Sequence, residues 1–232
     1  MSGQSPRAKR GGPRIGAVVR KVQQLLRRSS LLAFSILVAC ASPTSATPTE
    51  VLRYYATPAS VPWLDRLYEC AISSGVVAIM SPPEEADILL RVGEPEWLAG
   101  TAIQIDMEDV IIVAGPESPI RSLSLQEAKE LFTSGSSTEA ELWVFAEGED
   151  VQQVFHALVM QNLPVAASAR IAGTPQQMAV VLGEGSDDVG ILTRHWKAGN
   201  SRELLTAATV PVLAITPEEA TRSVKSVLAC LQ

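Results

Sequence analysis

From Val51 onward, short β-branched apolar runs alternate with stretches whose apolar residues recur every three or four positions, and this alternation narrows the possible folds more than any other feature. Strand-like runs fall at 51–55, 76–80, 87–92, 102–105, 110–114, 142–146, 167–171, 189–192 and 210–215. The helical stretches between them carry start signals. Ser60 with Pro62 opens a helix whose inward stripe is Leu64, Leu67, Tyr68, Ala71 and Ile72. Ser124 and Glu127 form a capping box ahead of Leu125, Ala128, Leu131 and Phe132, and Gly135 closes that helix. Asp150 caps a helix with Val151, Val154, Phe155, Leu158 and Val159 inward. Thr174 precedes Pro175 and the stripe Met178, Val181, Leu182; Thr216, Pro217 and Glu219 start the last helix, with Ala220, Val224, Val227, Leu228 and Leu231 on one face. Strands alternating with helices predict an α/β class with largely parallel sheets and no internal repeat.

The first 39 residues have a different character. They hold eight basic residues and no acidic one, followed by the apolar run 31–39. Nine helical residues rise only about 14 Å, against a bilayer core of ~30 Å, so a retained membrane span is not expected. Basic residues, a short apolar stretch and small residues compose an export signal. Leu37-Val38-Ala39-Cys40 resembles the lipobox of bacterial lipoproteins. That resemblance implies cleavage before Cys40 and lipid, including palmitate-type acyl chains, on its sulfur; two or more chains anchor stably where one does not. An ordinary signal peptide with a chance cysteine is the alternative. Arg27-Arg28 leaves the twin-arginine route open beside the general one. Residues 40–50 are small, polar and proline-bearing and read as a flexible tether. The part after the signal has 11 basic residues against 25 acidic ones, a net charge of −14, which disfavours nucleic acid as a partner. The expected location is the extracytoplasmic face of the cell membrane, held by lipid.

The block 110–135, VIIVAGPESPIRSLSLQEAKELFTSG, resembles one in type II periplasmic-binding proteins, notably the phosphate-binding-protein-like family. There a strand leads to "NP" and then "LTxEQLxxIFxG". Residues 142–159 resemble that family's strand, polar loop and "F" helix, and Val189-Gly190-Ile191-Leu192 its "xIGY" strand. The resemblance spans about 51–232 and implies a two-lobed α/β fold with a hinge and a ligand between the lobes. Lobe one would be 51–113 plus 209–232, and lobe two 114–208.

Such a cleft holds oxyanions with hydroxyls and with the unpaired N–H groups of helix N-termini. Two loops are candidates. The first, 56–60, offers Thr57 and Ser60 as ligand-binding hydroxyls, with Ser60 equally readable as a helix cap. The second, 146–150, offers Gly148, Glu149 and Asp150. Here the chain departs from the family's "SGT" run: it has carboxylates where hydroxyls and a cation are expected, and a carboxylate facing phosphate is unfavourable in a cleft. These acids either favour the helix N-terminus or face a cationic or neutral polar ligand. Arg91, at the end of a strand, and Thr174, before a helix, complete the candidates.

His156 and His195 lack metal-ligand spacing and read as surface or structural residues; no metal or cofactor is expected. No catalytic motif stands out, so no catalytic residue is assigned and an enzyme is not expected. Cys70 and Cys230 are either a disulfide, which export permits, or two small buried thiols. The whole is expected to be a solute-binding lipoprotein capturing a small polar or anionic solute, with an ABC permease as its partner. The alternative is a sensory or interaction module on the same fold.

Overall fold

Period-two burial makes the first strand: in β1 (Glu50–Ala56) Leu52 and Tyr54 are buried while Val51 and Arg53 face out. The computed structural model describes residues 50–135, 140–184, 187–217 and 219–232. Cys40, the signal segment and the tether up to Thr49 lie outside the described residues.

After β1 a 3-10 turn (Pro58–Trp63) runs into α1 (Leu64–Ser73), followed by β2 (Val76–Met80), β3 (Ile88–Val92) and β4 (Thr101–Ala114). Then come α2 (Leu125–Ser134), β5 (Leu142–Phe145), α3 (Asp150–Leu158), β6 (Arg170–Ala172) and α4 (Pro175–Gly183). β7 (Val189–Thr193), β8 (Arg202–Thr216) and α5 (Arg222–Leu231) finish the chain. All eight strands form one sheet in the order β2-β1-β3-β8-β4-β7-β5-β6.

The α/β class stands, but the sheet is mixed rather than largely parallel. β1 pairs in parallel with β2 and β3, and β5 with β6 and β7, while β8 runs antiparallel to β3 and β4, and β4 antiparallel to β7. The expected strands 102–105 and 110–114 are one strand of 14 residues, and the expected 210–215 reaches back to Arg202. These two long strands carry the sheet from one half to the other. Thr101–Gln104 pairs with the end of β8 beside β3, whereas Val110–Ala114 pairs with β7. Register shifts at Gln104/Asp106, Val110/Ile111 and Ile112/Val113 mark where the pairing bends.

Other boundaries move for local reasons. The strand expected at 167–171 is Arg170–Ala172. Helix α5 starts at Arg222, because the Thr221 hydroxyl accepts from Val224 N; Thr216 instead ends β8. Glu149, not Asp150, occupies the N-cap position of α3, and Asp150 is its first residue. In α1 the buried face is Leu67, Cys70 and Ala71, while Tyr68 and Ile72 are exposed. The Ser124–Glu127 capping box of α2 forms as expected.

The turn of α1 that buries Cys70 brings it to α5, where it forms a disulfide with Cys230, Cα to Cα 5.6 Å. One continuous buried core includes Val110–Ala114, Phe132, Phe155, Met178 and Leu192. Among the described residues no helix is long and apolar enough to cross a membrane.

Candidate functional site

The loop after β1 is fixed by polar contacts to β3. Thr57 N donates to Leu90 O at 3.0 Å. The Ser60 hydroxyl, fully buried, lies 3.0 Å from both Leu90 O and Thr57 O. Ser60 therefore sits within the 3-10 turn as an internal brace and not as a helix cap. Opposite this loop is the N-terminus of α3. That helix is held to β5 by the buried Gln152 side chain, whose oxygen accepts from Phe145 N at 3.0 Å.

Asp150 joins the two. Its side chain is only 3% exposed. One carboxylate oxygen accepts from the Thr57 hydroxyl at 2.5 Å and from Val92 N at 2.8 Å; the other accepts from Val151 N, in the first turn of α3, at 2.8 Å. Thr57 also lies 3.1 Å from the Ser60 oxygen, but it has one proton, and the carboxylate oxygen at the shorter distance takes it. Close packing brings the groups together: at Gly93 (φ +76°) an added Cβ would lie 2.4 Å from Val154 of α3. Any side chain there would push the end of β3 off the helix.

Arg91 closes the exposed side. Its Nε donates to Gly93 O at 3.1 Å and a terminal nitrogen donates to the Gln153 oxygen at 3.0 Å. Burial lowers its pKa, and the Asp150 charge opposes that shift. The Glu149 carboxyl is pushed up by burial and then by the adjacent Asp150 charge. A folded-state pKa raised above the unfolded value favours the folded state below ~4.3, and that contribution is lost as pH rises through the folded pKa. Glu149→Gln is therefore expected to raise the urea midpoint above wild type at pH ~7, with the gap shrinking toward pH ~3.5. An equal gap at both pH values would contradict this origin.

A second set of contacts spans the same two halves. The Trp196 indole N–H donates to Ala59 O at 3.2 Å, and the His195 ring packs against Trp63 at a tilt of 55° with centroids 4.7 Å apart. His195 pairs with the buried Glu108, and Trp63 donates to Asp106 at 3.0 Å. That indole bond is the main reason the Asp106 carboxyl lies below its usual range.

The structure thus gathers Thr57, Ser60, Arg91, Glu149 and Asp150. Gly148 contributes only its carbonyl, 3.4 Å from the Gln153 amide. Thr174 caps α4, its hydroxyl accepting from Gln177 N at 3.1 Å and its carbonyl from Met178 N at 3.1 Å. The sequence reading missed Val92 N, Gln153 and Trp63. Backbone donors leave no residue-type signal, and Gln153 and Trp63 read as ordinary helix positions. Beyond Gln153, across α3, a groove of about 1290 Å³ is lined by Glu94, Glu147, Gln153, His156, Leu158 and Ile171 among others. Among the described residues no group of three or more His, Cys, Asp or Glu could hold a metal ion.

No family model and no curated protein sequence matches the chain. Solved structures do. A protein of Clostridium perfringens assigned as a phosphate ABC transporter substrate-binding protein, with bound phosphate, superposes at a TM-score of 0.67 and 12% identity, covering 78% of this chain and 93% of its own. An ABC-type phosphate transport receptor of Vibrio cholerae gives 0.61 and 11%, with the same coverages. The Synechocystis CcmR regulatory domain in complex with 2-PG gives 0.59 and 13%, covering 79% and 96%. At these identities the likeness shows the fold: the chain has the two-lobed, type II periplasmic-binding-protein-like fold that transport receptors and LysR-type regulatory domains share.

Proposed function

We propose that the chain is an extracytoplasmic lipoprotein, anchored through lipid on Cys40, that captures a small polar solute between its lobes and presents it to an ABC permease. Lobe one would comprise 51–113 with 209–232 and lobe two 114–208, with β4 and β8 as the strands that flex between them. The observation that carries the reading is the convergence of the β1–α1 loop and the N-terminus of α3 on one buried polar point, Asp150. Side chains and backbone from both halves meet there, as lobe closure on a solute requires. The likeness to phosphate transport receptors supports the transport role, and the Cys70–Cys230 disulfide supports an oxidising compartment outside the cytoplasm. No chemistry on the solute is needed.

Asp150 narrows the solute. A carboxylate at the meeting point favours a cationic or neutral polar molecule over an anion. Thermal shift against sugars, amines, amino acids and inorganic anions tests the reading. At 100 times its Kd a true solute adds about 2.7 kcal/mol, roughly 5–10 °C for a body of this size. Silence from every class would remove solute capture.

The second reading is a sensory or interaction module on the same fold. It is favoured by the lobes' already being joined by direct bonds, Asp150 to Thr57 and Trp196 to Ala59. Silence across the panel would leave this reading in place.

A further inference from the structure

The geometry points to Asp150 as a tethered anion: its carboxylate fills an oxyanion position built from the Thr57 hydroxyl, Val92 N–H and Val151 N–H, so that the chain supplies its own occupant and excludes free oxyanions. The inference rests on the binding reading above for the place of the site, and it fixes what that point rejects.

Three observations carry it. The donors around the carboxylate are of mixed origin: a side-chain hydroxyl from one loop, a backbone N–H from the end of β3 and a backbone N–H from the first turn of α3. Convergent N–H and O–H groups at a helix N-terminus compose an anion site whatever anion fills it. Next, the carboxylate is nine-tenths buried and both of its oxygens are engaged, so it is the occupant and not a neighbour of the occupant. Finally, the charges around it suit one anion only. Arg91 is the cation at its side, while Glu149 already feels its charge. A second anion would meet the Asp150 and Glu149 carboxylates.

Tethering settles the competition. A free phosphate loses translational and rotational freedom on entering the position, whereas a side chain of the same helix has already lost it. Millimolar oxyanion therefore does not displace Asp150. Because the carboxylate belongs to α3 and two of its donors belong to the other half of the sheet, the same bonds hold the halves together without a solute.

Asp150→Gly empties the position and leaves the three donors in place; Asp150→Ser does so with a side chain suited to the start of a helix. The probes are inorganic phosphate and acetate, with chloride at matched ionic strength as the control, read by calorimetry and thermal shift. Wild type is expected to show no saturable response to 10 mM phosphate or acetate. Either variant is expected to bind at least one of them at least ~10-fold more tightly than wild type, and Thr57→Val in that background is expected to weaken the gain at least ~10-fold. If a variant folds poorly, recovery of its circular dichroism on adding phosphate or acetate, and not chloride, counts for the proposal. An equal response of wild type and variants overturns it, as does the absence of any saturable response in variants, folded or not. A silent solute panel on wild type alongside a phosphate response in the variants would sink solute capture and leave the tethered anion standing.

Discussion

Replacing both Cys70 and Cys230 with alanine is expected to lower the unfolding free energy by up to about 5 kcal/mol, taking the bridge to act through the entropy of the unfolded chain. The bridge closes a loop of 160 residues in sequence, nearly the whole folded body. Cross-linking so long a loop restricts the unfolded ensemble more than a short one does, although the dependence is only logarithmic. Domains of this size have total stabilities of about 5–15 kcal/mol, so the loss would be a large share. Urea denaturation of the oxidised protein, the reduced protein and the double-alanine variant measures it. The reduced protein and the variant should fall together, with a larger m-value than the oxidised form, because the freed chain expands further. A variant with the midpoint of the oxidised protein would show that the packing of α1 on α5 suffices without the bond.

Phe155→Ala is the second large change. Phe155 is fully buried and meets Phe132 edge to face, with ring centroids 4.9 Å apart at 68°. Truncation removes the ring from the core and leaves a cavity between α2 and α3, at a cost of about 3–5 kcal/mol. That corresponds to a fall in Tm of roughly 6–20 °C for a body of this length. Phe155→Leu keeps most of the volume and should lose under half as much. Because Phe155 anchors the helix that carries Asp150, the alanine variant should also show faster amide exchange at Val92 and Val151, whose N–H groups hold the carboxylate. Unchanged exchange with a lowered Tm would mean that α3 keeps its place without the ring.

How much could be read beforehand depended on where the partners lay. The capping box at Ser124 and Glu127 was legible because both members are local. β4 was not. Asp106, Glu108 and Asp109 interrupt its apolar pattern, so the sequence reads as two strands with a polar break. The strand continues because those acids find partners elsewhere: Trp63 for Asp106, His195 for Glu108, and Arg194 with Thr209 for Asp109. His195 read as a surface or structural residue, but its partners, the buried Glu108 carboxylate and the Trp63 ring, were not legible. The same holds at the candidate site. Thr57, Ser60, Arg91, Glu149 and Asp150 were recognisable as polar residues at strand ends and helix starts. That Asp150 faces Thr57 across 93 positions was not.

The sequence by itself determined the class of the fold, the elements with local start and stop signals, and the acidic character of the body, because these follow from periodicity, capping and composition within a few residues. Whether Cys70 meets Cys230, whether β4 runs unbroken and which groups surround the Asp150 carboxylate depended on the tertiary structure. Each depends on which distant donor or apolar face the chain brings into contact, and bonds of that range leave no mark in the local pattern.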